Sequence, residues 1–372
     1  MTEPSSALEL LQALIRIPSV NPEGDPGTDA TGEGELAEFL ADYLEALGAE
    51  VELREVLPRR PNVVARFLGD REGKPRVLSA PHTDTVSVLG MTIDPFAAEL
   101  REGKVWGRGA SDTKGPMAAM LWALREMREQ LPVLNHEIWF AGLISEEAGQ
   151  HGSKALAAEE HFDFVIAGEP TGLEVVHTHK GSGFLHLKTR GRAGHASRPE
   201  LGENAIAKML GVLDLLRGDL AREAAQIVDP VLGSPTISIG TIRGGSKTNI
   251  IPDQCEATVD MRFVPAQFTH DFRAQLESRL LAVCPDLELS ISPAPPLYTD
   301  PAHPLIAQLA ALGAPPVGAP WFCDACFFAE RGMPAIALGP GSITQAHTRD
   351  EFIAVEDLEK GAEFFAKFLA KL

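Results

Sequence analysis

Cysteine is scarce in this chain. Four residues in 372 (Cys255, Cys284, Cys323 and Cys326) are too few for the disulfide framework of a small secreted protein. Positive charge is also in short supply. Against 52 aspartates and glutamates stand 33 lysines and arginines, for a formal net charge of −19 at pH 7. Such a surface repels phosphate backbones, which argues against nucleic acid as a partner and mildly favours a ligand bearing an amine. No apolar run reaches membrane-spanning length, and residues 1–20, MTEPSSALELLQALIRIPSV, begin acidic where a signal peptide would be basic. A cytoplasmic protein that does not enter a membrane is expected. Internal repeats and low-complexity tracts are missing as well.

What remains has the texture of an ordinary enzyme, with 44% hydrophobic and 23% charged residues and enough length for two domains. The first half alternates helix and strand patterns. SALELLQALIRI has the spacing of an amphipathic helix capped by Ser5 or Ser6 and ended before Pro18. GELAEFLADYLEALG reads as a helix closed by Gly48, and KGPMAAMLWALREMREQL as another with Pro116 in its first turn. EVELREV, NVVARFLG, PRVLSA, HEIWFAGLIS and FDFVIAGE read as strands, the last two apolar enough to be buried on both faces. That order predicts a doubly wound α/β domain. After His179 the style changes to half-exposed strands (GFLHLKTRGR, SPTISIGTIRGG, CEATVDMRFVP, DLELSISPA) and two helices, a compact α+β insertion. The Pro-rich SPAPPLYTDPAHP leads back, so the predicted catalytic domain is discontinuous, 1–178 and 293–372, around an insertion at 179–292.

Chemistry collects at the predicted strand ends. His82 and Asp84 follow RVLSA, Glu146 and Glu147 follow the strand that ends GLIS, and Glu169 follows DFVIAG. Asp112 precedes a helix, and His347 lies in GPGSITQAHTRDEF. Open α/β sheets build their sites on the loops at the carboxyl ends of strands, so residues remote in sequence can share one rim. Two histidines with several carboxylates suit a pair of zinc-like ions, leaving one carboxylate as a base. Asp84 is a candidate to hold the far nitrogen of a ligating His82. Adjacent Glu146 and Glu147 point to opposite sides in extended backbone, so one can ligate while the other faces water. Each residue alone would pass as a solvated loop residue; it is their joint placement that argues for a site.

The segments HTDTV, GRGASDTKG, SEEAG, GEPTG, GRAGHAS, TNIIP, DMR and GPGSITQAHTRDEF, in that order across nearly the whole chain, resemble the dinuclear zinc hydrolases of peptidase family 20. That family holds acetylornithine deacetylase, succinyl-diaminopimelate desuccinylase, aminoacylases and glutamate-releasing carboxypeptidases. The resemblance implies a zinc-hydrolase catalytic domain with an inserted ferredoxin-like domain acting as lid and dimerisation element. It implies two Zn²⁺ or Co²⁺ per subunit, with His82 and Glu169 on one ion, Glu147 and His347 on the other, and Asp112 bridging. Glu146 then takes the general-base role, with Asp84 beside the metals. It also implies a homodimer in which His195 of GRAGHAS serves the oxyanion across the subunit boundary. Arg262 would bind the substrate carboxylate, Asn249 would contact substrate nearby, and Lys180 with the turn at Gly339, Gly341 and Ser342 resembles acetylornithine deacetylase more than desuccinylase.

The expected substrate is therefore a small N-acyl amino acid of the N-acetylornithine kind, with Glu169 favouring a deacylase over aminopeptidases that carry aspartate there. The alternatives are a desuccinylase, or an exopeptidase of the same family cleaving dipeptides or a C-terminal glutamate. A non-catalytic descendant would have lost a ligand or the base, and every such position is filled. Cys323-x-x-Cys326 has no second pair to make a zinc ribbon, and its segment, DACFFAERGMP, is expected to shape specificity instead. His177 and His179 alternate as strand residues do, and GRGASDTKG lacks the spacing of a phosphate loop.

Overall fold

A computed structural model of the chain describes residues 4–69, 73–269 and 271–372. It divides into two compact units, Met1–His177 with Thr299–Val317 and Cys323–Leu372, and Thr178–Tyr298 with Gly318–Phe322. In chain order the first unit begins with α1 (Ala7–Arg16), α2 (Gly34–Ala46), β1 (Glu50–Leu57), β2 (Arg60–Phe67) and β3 (Arg76–Pro81). There follow β4 (Glu99–Arg101), β5 (Lys104–Trp106), α3 (Lys114–Met127), β6 (Glu137–Gly142), α4 (His151–Glu159), β7 (Phe164–Gly168) and β8 (Val175–His179). Ser6 caps α1 by accepting the amide of Glu9 at 3.1 Å, the second of the two serines expected. At the other end of α1, the buried Lys114 ammonium donates to the carbonyls of Leu14 (3.0 Å) and Ile17 (2.7 Å), carbonyls that a helix end leaves unpaired.

The second unit holds β9 (Gly181–Arg190), α5 (Ala205–Leu215), α6 (Ala221–Gln226), β10 (Thr236–Gly244), β11 (Gln254–Phe263), α7 (Phe272–Val283), β12 (Glu288–Ala294) and β13 (Leu297–Tyr298). The chain then gives α8 (Pro304–Ala311), β14 (Pro316–Ala319), α9 (Ala325–Glu330), β15 (Ala335–Ala337), β16 (Phe352–Ala354) and α10 (Val355–Leu369).

In the first unit the strands run in the order β1-β2-β6-β3-β7-β15. The middle is parallel, β6 with β3, β3 with β7 and β7 with β15, while β1 and β2 are antiparallel additions on one side. Both faces are covered, as a parallel sheet requires. Phe164 and Ile166 of β7 enter the main core beside α1, α3 and α10, whereas Val165 and Ala167, equally buried, face the other way, where α9 packs on β7. Three parallel strands ending together bring residues 82, 143–147 and 169 to one rim, and β15 adds the turn at 338–342. A separate three-stranded sheet, β16-β5-β4, was not foreseen from the sequence; its strands are too short to show a period. It pairs Phe352 with Trp106 and so carries the His347 segment towards residues 107–112.

The second unit is an antiparallel sheet in the order β10-β11-β9-β12. Alternate residues of β9 and β11 (Leu185, Leu187, Ala257, Val259, Met261) pack against Met209 and Val212 of α5 and Leu276 and Leu280 of α7. β10 departs from the expected half-burial: only Ile237 is partly covered. It is an edge strand bonded to β11 alone, and of its side chains Ile237 packs against the core under the helices. Among the described residues no helix is long and apolar enough to cross a membrane.

Candidate metal centre

His82 follows β3 directly and is 2% exposed. Its Nε2 lies 3.0 Å from Asp112 Oδ1, and its Nδ1 lies 2.9 Å from the backbone carbonyl of Asp84. A carbonyl can only accept, so Nδ1 carries the proton and Nε2 is left as the ligating nitrogen. The main chain of Asp84 thus holds the ring, and its carboxylate Oδ1 lies 3.5 Å from the same nitrogen. The Asp84 carboxylate has further partners: Oδ1 accepts the amide of Glu146 (3.0 Å), and Oδ2 accepts the amide of Glu147 (3.1 Å) and the side chain of Asn21 (2.8 Å). It fixes the backbone of the Glu146–Glu147 pair.

That pair sits on a strained turn. Ser145 has φ of 68°, and its amide donates to Glu33 at 3.2 Å. Glu33 in turn is held by Arg60 through two bonds of 2.6 and 2.7 Å, both residues buried. From the far side of the cluster, His347 Nε2 lies 3.0 Å from Glu147 Oε2 and 3.4 Å from Asp112 Oδ2. His347 itself is exposed and has φ of 59°.

The two oxygens of Asp112 therefore face two different histidines. Ligand atoms of His82, Asp112 and Glu169 lie within 4.8 Å of one another, as do those of Asp112, Glu147 and His347. A third grouping joins His82, Glu146 and Glu147. The Asp112–Thr113 peptide is cis.

Several observations fit this set to metal ions. Glu147 Oε1 is buried and finds no hydrogen-bond partner among the described residues. Burial, then the nearby Asp112 charge, pushes the Glu147 carboxyl up to about 7. Burial, then the Glu169 charge, pushes Glu146 well above the usual carboxylate range, and burial, then the Asp112 charge, does the same to Glu169. Hydrogen bonds to Asp112 and Glu147 raise His347 to about 10, and for His82 the bonds to Asp112 and Asp84 outweigh the opposing effect of burial. Asp112 moves the other way: despite its burial, the two histidines hold it below its ordinary value. So many like charges in one buried place call for compensating cations, and imidazole with carboxylate suits zinc-like ions.

The rim turn is packed against these ligands. A Cβ at residue 339 would lie 2.6 Å from the carbonyl oxygen of Glu169, so only glycine allows the approach. Gly341 has φ of 90°, and Ser342 bridges to Thr171 while its backbone meets the Ser111 hydroxyl at 3.3–3.4 Å. Sequence reasoning missed Glu33, Arg60, Asn21, Arg108, Glu351 and Asp324. Asp324 is buried, accepts from Ser153 at 2.7 Å and is raised to about 7, chiefly by burial. No run or spacing marks these residues: Glu351, for one, stands beside Arg349 and Asp350 as a solvated loop residue would.

In the second unit, His195 pairs with Ile250 in a β-bridge, and the amide of Ala196 donates to the Asn249 carbonyl at 3.1 Å, so these two predicted residues are neighbours. The Ser197 amide donates to His195 Nδ1 at 3.2 Å, and the Ser197 hydroxyl lies 2.7 Å from the same nitrogen. Nδ1 is thus an acceptor, and the neutral ring carries its proton on Nε2, facing outward as a donor. Arg262 binds Asp260 through Nε (2.9 Å) and Nη2 (3.0 Å), and the Lys180 ammonium donates to the Ser234 carbonyl at 2.6 Å.

The chain has relatives among known proteins. Residues 78–371 match peptidase family M20/M25/M40. Acetylornithine deacetylase of Proteus mirabilis is 32% identical, covering 97% of this chain and 95% of its own. The enzyme of the same name from Edwardsiella ictaluri is also 32% identical, over 95% of this chain and 94% of its own. Among solved structures, an M20 family metallo-carboxypeptidase from Sulfolobus solfataricus superposes with a TM-score of 0.79 at 20% identity, covering 98% of this chain and 99% of that one. A dinuclear metal-binding M20 peptidase from Bacillus subtilis gives 0.69 at 16% identity, over 98% and 96%. These two structures share the fold, a catalytic α/β domain with an inserted α+β domain. The chain belongs to peptidase family M20/M25/M40 and is a metal-dependent hydrolase of amide bonds.

Proposed function

We propose that the chain is a two-metal deacylase that releases a free amine from an N-acyl amino acid of the N-acetylornithine type. The observation that carries this reading is Asp112, whose two oxygens turn to His82 and His347 and so belong to two ligand clusters at once. His82, Glu169 and Asp112 would hold one ion, and Asp112, Glu147 and His347 the other, zinc or cobalt by the donor set. Such ions, when bound, supply the Lewis acidity that polarises the scissile carbonyl and acidifies the attacking water.

The protein's own groups do the rest. Glu146, held by its backbone amide on Asp84, accepts the water's proton and returns it to the leaving amine. His195, with its proton on Nε2, donates to the developing oxyanion, each subunit of a cytoplasmic homodimer lending this histidine to the other. Arg262 binds the substrate carboxylate with the edge that Asp260 leaves open, a task its planar fork suits. Asn249, Lys180 and the turn at Gly341 and Ser342 complete the substrate contacts.

The relatives at about a third identity favour the deacetylase over an exopeptidase, while the peptidases among the solved structures keep that second reading in play. A panel of N-acetyl amino acids, N-succinyl amino acids, dipeptides and peptides ending in glutamate, scored by amine release at saturating zinc or cobalt, decides. N-acetylornithine or a close analogue should have the highest kcat/KM. Faster turnover of dipeptides would reverse the assignment, and no turnover of any amide would end it.

A further inference from the structure

Glu351 is fully buried four positions after His347, and its carboxylate takes four hydrogen bonds from one short stretch of chain. Oε2 accepts from Arg108 Nη1 (2.9 Å) and the Gly109 amide (3.0 Å), and Oε1 from the amides of Ser111 (2.7 Å) and Asp112 (2.8 Å). Arg108 also reaches past Glu351 to the carbonyl of Thr348, next to His347, at 3.2 Å. The small sheet continues the clasp, with the Gly107 amide on the Glu351 carbonyl at 3.0 Å. The segment bearing His347 is therefore fastened to the segment bearing Asp112 at several points, all away from the ligand atoms. His347 needs that support, for its own backbone is in the left-handed region and its side chain is exposed.

We propose that the Arg108–Glu351 pair is a positioning device that couples the two metal positions. It sets the backbone of the residue both clusters share, and it anchors the loop that completes only one of them. Losing the clasp should thus weaken the cluster with His347 more than the cluster with Glu169. Groups behind metal ligands alter metal affinity by about 10–100-fold when removed.

The proposal rests on the two-metal reading, and a cobalt titration separates the two ideas. Metal-free protein is titrated with Co²⁺ alone, followed by calorimetry and by the visible absorption of the bound ion. Glu351→Gln keeps the volume but loses the charge and sets an amide N–H against N–H donors. The second equivalent of cobalt should bind about tenfold or more weakly, with an altered spectrum, and the first should change less. Arg108→Lys keeps the charge and loses the reach to Thr348; it should give the same pattern, reduced, and it decides alone should Glu351→Gln fail to fold. Leu309→Ala, a buried core change away from the ligands, serves as a destabilised control and should keep both affinities. Wild-type isotherms for the clasp variants, or the same losses in the control, would overturn the inference. Wild-type protein binding a single equivalent would instead overturn the two-metal reading itself.

Discussion

Leaving aside the exposed His347 and the buried Lys180, the two units present their candidate residues in opposite ways. In the first, His82, Asp112 and Glu169 are no more than 7% exposed, and the loops bearing them hang from buried carboxylates: Asp84 under Glu146 and Glu147, Glu33 under Ser145, Glu351 under Asp112. In the second, His195 and Asn249 are exposed, and the His195 ring is held by the nearby Ser197. The difference suits the roles proposed for each. A metal centre gathers like charges that repel, so its scaffold has to be built independently of the ions. A donor for an oxyanion meets charge only during the reaction, and for it the proton on the right nitrogen matters more than burial.

The largest effects should come from the buried side of this comparison, and they should split. Glu146→Ala removes a group that ligates neither cluster around Asp112, so it should bind two metals and lose about 10²–10⁴-fold in kcat. Asp112→Ala should lose activity together with metal stoichiometry, since both clusters take an oxygen from it. Metal analysis of the dialysed proteins beside kcat tests the pair. Substantial turnover by the first variant, or two metals in the second, would show that the roles are misassigned.

On the exposed side, His195→Ala should keep both metals and its folding stability while losing about 10²–10³-fold in kcat, the usual worth of an oxyanion donor. Complementation sharpens the contrast. Mixed and reassociated with Glu146→Ala, it should form hybrid dimers in which one site has both groups and its twin has neither. Random pairing makes half the dimers hybrid, so about a quarter of wild-type activity should return. If the chains exchange and nothing returns, His195 serves its own subunit or no site at all, and the exposed region is less dependent on a partner than proposed.

How far the site could be read beforehand also follows this divide. His82, Glu146, Glu147 and Glu169 were legible because parallel strands are short apolar runs, and whatever polar residue ends them stands on the rim. The α/β domain and the α+β insertion were legible too, from a change in the hydrophobic pattern after His179. Glu33, Asn21, Arg60 and Glu351 were not. Their partners are backbone amides and a guanidinium brought in by tertiary folding, as with Glu351 and Gly109, so no spacing in the sequence records them. The exposure of β10 was hidden too, because its isoleucines look like core until its place at the sheet edge is known.

The smallest effect concerns Arg262, which stands between the two regimes: about a third of its side chain is exposed, and Asp260 already engages two of its nitrogens. Arg262→Ala should raise KM for N-acyl amino acids with a free carboxylate by an amount corresponding to about 1.5–3 kcal/mol, the worth of hydrogen bonds to a charged group. The matching methyl ester or amide should change far less. Part of that loss would be repulsion, since Asp260 is left without its partner and faces an anionic substrate. Adding Asp260→Asn separates the contributions: it should recover the repulsive part of KM and leave the lost attraction. Equal losses on acid and ester would make Arg262 a brace for the strand rather than a substrate contact.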